Sequence, residues 1–252
     1  MSAFPRGGPW TVLMVCTGNL CRSPMAQHLA ASYFSAPAGF STRTGSLART
    51  GPVGRAGAEG IVIASAGLHA RTGEAMEHNA AELLRARGVD PAGFQSRHLT
   101  VDLVESSDLV LCATREHRSA VVTLSPRALR RSFTLREFAR LTSAVRLADL
   151  PVGSVRPAGE LLVAAALRAR AAGRVVPAEI DDLTDPLGEN RHRFEACAAM
   201  IDEALCGPMS LLSQASQTRR DGPSLGAIVP APRRSRNGER TSDPAGHGPD
   251  RG

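Results

Sequence analysis

Several residue types are scarce or missing in this 252-residue sequence. Lysine is absent, so all 30 basic residues are arginine, and they exceed the 24 acidic residues by a formal charge of +6. Aromatic residues make up only 4%, and they are not interleaved with arginine-rich segments as a stacking surface for nucleic acid requires. The composition therefore favours a general arginine bias over a nucleic-acid partner.

Cysteine is limited, and long apolar segments are missing. The five cysteines are an odd number without zinc-ligand spacing, which argues against a disulfide framework and a structural metal site. They are Cys16, Cys21, Cys112, Cys197 and Cys206. No uninterrupted apolar stretch approaches the roughly 18 residues of a membrane span, and residues 1–10 lack the pattern of a signal peptide. We therefore expect a cytoplasmic protein with no membrane span.

Short apolar runs alternate with helical patterns, and an apolar content of 42% is enough for a sizeable core. The predicted strands are Thr11–Val15, Ile61–Ala64, Asp108–Cys112 and Ser132–Leu135. The predicted helices between them are Pro24–Ser35, Glu74–Arg87 and Arg115–Leu124. This order predicts an α/β three-layer sandwich, in which helices flank a four-stranded parallel sheet and ligands bind at the carboxyl ends of the strands.

Composition also predicts the domain organisation. We expect residues 1–10 to be a flexible N-terminus and residues 11–207 to form one folded domain. Two insertions interrupt it: residues 40–60 have no apolar period, and residues 146–177 contain a predicted helix, Ala158–Ala172, with either a structural or a lid role. Residues 208–252 are predicted to be a disordered tail, because the segment offers little apolar surface to bury.

The most informative motif directly follows the first predicted strand. Residues Cys16–Pro24 read CTGNLCRSP and lead into a predicted helix. Gly18 and Asn19 tolerate left-handed backbone, so the loop can curl with its amide groups pointing inward beside a helix N-terminus. Such a loop binds anions and lowers the pKa of a cysteine thiol. The pattern indicates a phosphate-binding loop that carries its own nucleophile, Cys16.

This loop resembles the signature loop of the low-molecular-weight protein tyrosine phosphatases over Val15–Ala26. Other segments are similar to the family in the same order: Ser65–Gly67, Glu74–Val89, Ser96–Thr100, Asp108–His117 and Asp181–Leu205. The resemblance implies a phosphate-binding loop after the first strand. It also implies hydrolysis of phosphate monoesters, foremost protein phosphotyrosine, without a metal or another cofactor. Phosphorylated proteins or small phosphate esters would be the partners, and the oligomeric state stays open.

Three residues are expected to carry out the chemistry. Cys16 would attack phosphorus in line, while the planar fork of Arg22 holds two phosphoryl oxygens. Asp185, fixed by Pro186, would protonate the leaving oxygen and then activate water to hydrolyse the phosphocysteine. Asp181 and Asp182 compete for this acid role on sequence grounds.

The other loop residues receive supporting roles. The predicted substrate-binding residues are Thr17, Gly18, Asn19, Leu20, Cys21 and Ser23. Ser23 can donate a hydrogen bond to the Cys16 thiolate or cap the next helix. Asn19 resembles the family's loop-holding asparagine, and Ser65 resembles its partner. Cys21 is spaced either for a reversible disulfide with Cys16 or for an inert buried thiol. No histidine is assigned a catalytic role.

The departures from the family concern the substrate. Leu187 and Gly188 follow Pro186 where the family commonly has an aromatic residue, and residues 68–72 lack a second aromatic wall. The resemblance therefore supports phosphate-ester cleavage more strongly than a preference for aryl groups. Two alternatives stay open: a thiol-dependent arsenate reductase on the same fold, and a weakly active phosphate-binding regulatory module.

Overall fold

A parallel β-sheet lies at the centre of the computed structural model, which describes residues 8–34, 42–44, 60–173 and 176–217. The strands are β1 (Trp10–Cys16), β2 (Thr42–Thr44), β3 (Ile61–Gly67), β4 (Leu109–Cys112) and β5 (Ser132–Thr134). Their order is β2-β3-β1-β4-β5, and every neighbouring pair is parallel. The predicted fold class and all four predicted strands are confirmed. Strand β2 is an additional short edge strand within the predicted 40–60 insertion.

Helices cover both faces of the sheet. They are α1 (Arg22–Ser32), α2 (His78–Ala86), α3 (Val101–Glu105), α4 (Arg115–Leu124), α5 (Leu135–Thr142), α6 (Val155–Ala172), α7 (Ala178–Asp181) and α8 (Arg191–Gln217). Side chains of β1 alternate between the two faces, as the strand period of two requires. Val12 and Met14 pack in the larger core with α1, α5, α6 and α8, whereas Leu13 and Val15 pack in the smaller core with α3 and α4.

The central position of β1 places its carboxyl end where the predicted site should lie. All seven residues of the strand are buried, which fits the continuous apolar run of a parallel strand covered on both faces. Cys16 lies level with Gly67 at the end of β3, and Val15 lies level with Cys112 at the end of β4. The loop that follows Cys16 is therefore supported by the ends of both neighbouring strands.

Strand β1 begins before the predicted start of the domain. Trp10 was assigned to the flexible N-terminus, but it lies in β1 and its side chain is completely buried. The reason is its contact with α6, where a Cβ atom at Gly159 would come within 2.5 Å of the indole ring. Gly159 therefore lets the helix approach the indole directly. The first seven residues lie outside the described part of the chain.

Helix α8 extends beyond the predicted end of the domain. The tail was expected from residue 208, but α8 continues through Pro208 to Gln217. Met209, Leu212 and Ala215 are completely buried on this last part of the helix, and their burial outweighs the poor helix propensity of proline. Residues 218–252 lie outside the described residues, as does most of the predicted 40–60 insertion.

The predicted helix in the second insertion is present and begins three residues earlier, at Val155. Val155, Leu162 and Val163 are buried in the larger core, so α6 is an integral layer of the fold. In the part of the chain that the structure describes, no helix has the length and apolar character needed to cross a membrane. Within the same ranges, no three potential metal ligands of the His, Cys, Asp or Glu type converge.

Candidate active site

The loop between β1 and α1 is shaped by one asparagine and one close backbone approach. Asn19 has φ of 54° and is the one non-glycine residue with positive φ in the described chain; asparagine tolerates this conformation better than most residues. A Cβ atom on Gly67 would lie 2.6 Å from the Thr17 carbonyl oxygen and 2.7 Å from the Asn19 nitrogen. The end of β3 thus fits directly against the loop because residue 67 is glycine.

Main-chain hydrogen bonds attach the loop to its surroundings. The backbone N–H groups of Leu68 and His69 donate to the carbonyl oxygens of Cys16 (3.0 Å) and Thr17 (2.9 Å). The N–H of Glu77 donates to the Leu20 carbonyl at 3.1 Å. The segments after β3 and before α2 therefore hold the loop at both ends.

Cys16 lies beneath this loop with its thiol beside a serine hydroxyl. The Cys16 Sγ atom is 2.9 Å from the Ser23 Oγ atom, and both residues are buried. The Asn19 side-chain amide donates to Ser23 Oγ at 2.9 Å, so the serine proton can point at sulfur, which is closer than its other acceptor, the Ala66 carbonyl at 3.4 Å. Ser23 lies inside α1, and that helix has no side-chain cap. The geometry therefore supports the predicted hydrogen bond to sulfur and not the capping alternative.

A buried polar network fixes Asn19 from its other side. Its amide donates to Ser65 Oγ at 2.8 Å, and Ser65 donates in turn to the Gln27 side-chain oxygen at 2.6 Å. Arg97 was missed in the sequence analysis: its backbone N–H donates to Asn19 Oδ1 at 2.9 Å, and its Nε donates to the Ser65 carbonyl at 2.8 Å. Every polar atom of the Asn19 side chain is thus engaged, which makes the loop rigid.

Arg22 and Asp185 meet at the loop although 163 residues separate them. Arg22 Nη2 donates to Asp185 Oδ2 in a direct ion pair, and it also donates to Thr17 Oγ1 at 3.2 Å. The Arg22 side chain is buried, whereas the Asp185 side chain is 45% exposed. The arrangement places a partly exposed carboxylate next to a buried guanidinium at the loop.

The two competing aspartates are engaged elsewhere. Asp181 is buried and pairs with Arg115 (2.7 Å) and Arg140 (3.0 Å). Asp182 Oδ1 accepts a hydrogen bond at 2.8 Å from the backbone N–H of Arg115, the first residue of α4. Of these three aspartates, Asp185 is the one that contacts Arg22. The assignment of Asp185 as the acid stays a prediction.

His117 also contacts the loop, although no histidine was assigned a role. Its Nε2 is 2.8 Å from Thr17 Oγ1, and its Nδ1 is 2.7 Å from Thr114 Oγ1. Because Thr17 Oγ1 already accepts from Arg22, its proton can go to Nε2, and this arrangement fits a neutral imidazole with the proton on Nδ1. Burial, together with the charge of Arg22, lowers the pKa of His117 to about 4. The available sequence signal was the spacing of Thr114 and His117, which is that of a helix cap.

Of the remaining cysteines, Cys21, Cys112 and Cys197 are buried and Cys206 is exposed. All five are free thiols. Burial raises the pKa of Cys21, with the carboxylate of Glu77 adding to it, and burial also raises the pKa of Cys112 and Cys197. Cys21 lies at the N-cap position of α1. The predicted disulfide between Cys16 and Cys21 is not formed here and stays a prediction.

Comparison with known proteins identifies the family. A sequence model described as "Low molecular weight phosphotyrosine protein phosphatase" matches residues 46–152. The chain is 33% identical over 128 residues to a protein-arginine-phosphatase of Bacillus subtilis, covering 50% of this chain and 71% of that protein. It is 28% identical over 116 residues to the low molecular weight protein-tyrosine-phosphatase Etp of Escherichia coli, covering 46% of this chain and 62% of that protein.

Solved structures show the same fold. The YwlE arginine phosphatase from Geobacillus stearothermophilus aligns with a TM-score of 0.52 and 23% identity, covering 84% of this chain and 96% of that one. Vibrio vulnificus Wzb in complex with benzylphosphonate aligns with a TM-score of 0.52 and 19% identity, covering 80% and 98%. The four strands and flanking helices around the Cys16 loop are thus those of this fold.

The chain belongs to the low molecular weight phosphotyrosine protein phosphatase family, and the family resemblance seen in the sequence is confirmed. Members of this family are cysteine-based phosphatases that work through a phosphocysteine intermediate. The protein is accordingly a hydrolase of phosphorylated substrates.

Proposed function

We propose that this protein hydrolyses aryl phosphate monoesters, with protein phosphotyrosine as the substrate class, and that Cys16, Arg22 and Asp185 carry out the reaction. The observation that carries this proposal is the direct contact of Asp185 with Arg22 at the loop that contains Cys16. The proposed acid thus lies beside the loop that carries the proposed nucleophile and the anion-binding guanidinium, although 163 residues separate Asp185 from Arg22.

In the first step, the Cys16 thiolate attacks phosphorus and the bond to the leaving oxygen breaks. The Arg22 fork and the inward amide groups of residues 17–22 hold the phosphoryl oxygens, so that developing charge is spread over fixed donors. A phosphoryl group bound by Arg22 would displace Asp185 from that guanidinium, leaving the carboxyl group beside the leaving oxygen. Once it is freed from the guanidinium, the Asp185 carboxylate takes up a proton from solvent, and it donates this proton to the leaving oxygen to give the phenol.

In the second step, the Asp185 carboxylate accepts a proton from water as the water oxygen attacks the phosphocysteine. The bond between phosphorus and sulfur breaks, which returns inorganic phosphate and the thiolate. The Ser23 hydroxyl, 2.9 Å from the sulfur, stabilises that thiolate by donating a hydrogen bond both before attack and after release. Ser23 thereby favours formation of the thiolate before the first step and makes sulfur a better leaving group in the second step.

The choice of an aryl ester is supported by aliphatic side chains on three segments around the loop. Leu20 belongs to the loop, the N–H of Leu68 bonds to the Cys16 carbonyl, and the N–H of Leu187 donates to Asp185 Oδ1 at 3.2 Å. Leu187 is 53% exposed, so it offers apolar surface to a ring. These side chains carry no acceptor for a guanidinium group, which the phosphoarginine substrates suggested by the arginine phosphatase relatives would present.

The cysteine arrangement favours a phosphatase over an arsenate reductase. A reductase must pass a disulfide from the catalytic thiol to further cysteines. Cys112 and Cys197 are buried, and burial raises the pKa of each thiol, which suits them poorly to that exchange.

The five free thiols fit a reducing compartment, and we propose a cytoplasmic location on that basis.

Hydrolysis assays on matched peptides test the substrate class. We expect release of phosphate from a phosphotyrosine peptide and from p-nitrophenyl phosphate, with a chelator present, and at least tenfold slower release from the phosphoarginine version of the same peptide. A faster reaction with phosphoarginine would contradict the proposed specificity. Arsenate supplied with a thiol serves as the parallel reaction for the reductase alternative.

Two variants test the residue roles. Cys16→Ser is expected to abolish turnover while oxyanion binding persists, and an active Cys16→Ser enzyme would exclude Cys16 as the nucleophile.

Asp185→Asn should slow the hydrolysis of esters with poor leaving groups most, because these leaving groups need the proton. If Asp181→Asn or Asp182→Asn caused that leaving-group dependence instead, the acid would have to be reassigned.

A further inference from the structure

A second polar cleft opens between α4, α5 and α6, and the proposed reaction does not use it. It encloses about 230 Å³. Four arginines and two carboxylates line it: Arg115, Arg118, Arg140, Arg170, Glu137 and Asp181. Two of its walls come from α6 and the residues after it, which is the segment that sequence analysis identified as an insertion. We call this feature the arginine cleft.

Both carboxylates of the arginine cleft are already fully engaged. Asp181 accepts hydrogen bonds from Arg115 and from both Nε and Nη2 of Arg140. Glu137 accepts two from Arg170, each at 2.9 Å. Three arginines are thus compensated by two acids, and the fourth has no acid of its own.

Arg118 is this fourth arginine. Its Nε donates to the Ser132 carbonyl at 2.8 Å, but no group in the described part of the chain accepts from its two terminal nitrogens. Burial, together with the neighbouring Arg170 guanidinium, lowers the pKa of Arg118 from its ordinary value. A half-buried guanidinium that lines a cavity next to another cation is a place where an anion relieves repulsion.

We propose that the arginine cleft binds a small anion of the phosphate class, either inorganic phosphate or the phosphate group of a small phosphomonoester. The planar fork of Arg118 matches two phosphate oxygens, and four guanidinium groups against two carboxylates leave an excess of positive charge. The volume suits a small molecule, and it excludes a folded partner as the occupant.

We expect an anion bound in the arginine cleft to affect, through Asp181, the segment that carries Asp185. Arg115 and Arg140 hold Asp181, the last residue of α7, which lies four residues before Asp185 in the sequence. An anion in the cleft competes with the Asp181 carboxylate for these guanidinium groups. The ion pairs of Asp181 then weaken, so the segment that carries Asp185 is held less firmly. A lower turnover number is expected when the anion is bound.

Binding is tested first, without any need for turnover. In an Arg22→Ala background, which disables the catalytic loop, isothermal titration with inorganic phosphate and with glucose 6-phosphate is compared between added Arg118→Gln and added Arg168→Gln. Arg168 is an exposed arginine of α6 that does not line the cleft. We expect Arg118→Gln to weaken binding about tenfold or more, because a charged hydrogen-bond donor is lost, and Arg168→Gln to leave it unchanged.

Equal binding by the two double variants would overturn the site. Circular dichroism and thermal unfolding confirm that each variant is folded, and Arg118→Met, which keeps the aliphatic stem, is expected to behave like Arg118→Gln. Weaker binding of both ligands would assign the site to the phosphate group itself. Weaker binding of glucose 6-phosphate alone would assign it to the ester. Since this measurement needs no catalysis, it stands apart from the proposed hydrolysis of aryl phosphates.

Inhibition kinetics test the link to the acid loop. With p-nitrophenyl phosphate as substrate, inorganic phosphate should inhibit the unmodified enzyme by a mixed pattern, competitively at the catalytic loop and non-competitively through the arginine cleft. In Arg118→Gln the non-competitive part should disappear while the competitive part persists. A purely competitive pattern in the unmodified enzyme would show that the cleft does not reach Asp185.

Discussion

At the scale of single residues, the site depends on side chains whose hydrogen-bonding capacity is fully used. Asn19 combines a left-handed backbone with three side-chain hydrogen bonds, to Ser23, Ser65 and the Arg97 N–H. The Cys16-to-Pro24 motif predicted the loop and its residues because they are contiguous. Arg97 and His117 could not be found in the same way, since their partners lie 78 and 100 residues away along the chain.

His117 gives a testable pH dependence at this scale. Its pKa is lowered from about 6.5 to about 4 by burial and the charge of Arg22. Between these pH values, His117 is therefore protonated in the unfolded chain and neutral in the folded protein. The free energy of unfolding should therefore fall as the pH drops from 6.5 towards 4, and the loss should be complete below that. Chemical unfolding at pH 7 and pH 5 measures it.

The matched variants are His117→Gln and His78→Gln. His117→Gln removes one titrating group and should reduce this slope, with a remainder from His28, whose pKa burial also lowers. The exposed His78 serves as the control position. A profile that keeps its full slope in His117→Gln would assign the pH dependence to another group.

At the scale of elements, the ends of parallel strands determine where the site lies. The apolar runs predicted β1, β3, β4 and β5, and the carboxyl end of β1 was expected to carry the nucleophile. The short strand β2 was missed because its residues, Thr42–Thr44, have no apolar pattern; the structure pairs them in parallel with β3. The close fit of Gly67 beneath the loop is likewise invisible in the sequence, since it depends on the register of β1 and β3.

Gly67→Ala tests this fit. The added methyl group would meet backbone atoms of Thr17 and Asn19, which cannot move aside like a flexible side chain. We expect a loss of about 1–3 kcal/mol in the free energy of unfolding and a fall in turnover, both measured on the purified variant. Gly207→Ala is the control, because a Cβ atom there meets nothing within 4 Å. An active, fully stable Gly67→Ala enzyme would contradict the proposed packing.

At the scale of the whole molecule, arginine takes over every role of a basic residue. The composition favours a general arginine bias as the reason for the absence of lysine, yet several arginines form bidentate ion pairs that lysine cannot make. Arg156, for example, donates to both oxygens of the buried Asp108 at 2.8 and 3.1 Å and so joins α6 to the start of β4. The added helix α6 is thereby tied into the fold and forms a wall of the arginine cleft.

The extent of α8 yields a prediction at the same scale. A chain that ends at residue 207 should be several kcal/mol less stable than a chain that ends at residue 217, since Met209 and Leu212 leave buried positions. Thermal unfolding of the two truncated proteins measures the difference. Equal stability would mean that the last ten residues of α8 contribute nothing to the core.

The central claim is that phosphate passes through Cys16. Rapid acid quenching during turnover of p-nitrophenyl phosphate, followed by mass spectrometry of the peptides, locates the transferred group. The account predicts phosphate on the peptide that contains Cys16, and on Cys16 rather than Cys21 within it. Phosphate on another residue, or turnover with no phosphorylated peptide at any quenching time, would contradict it.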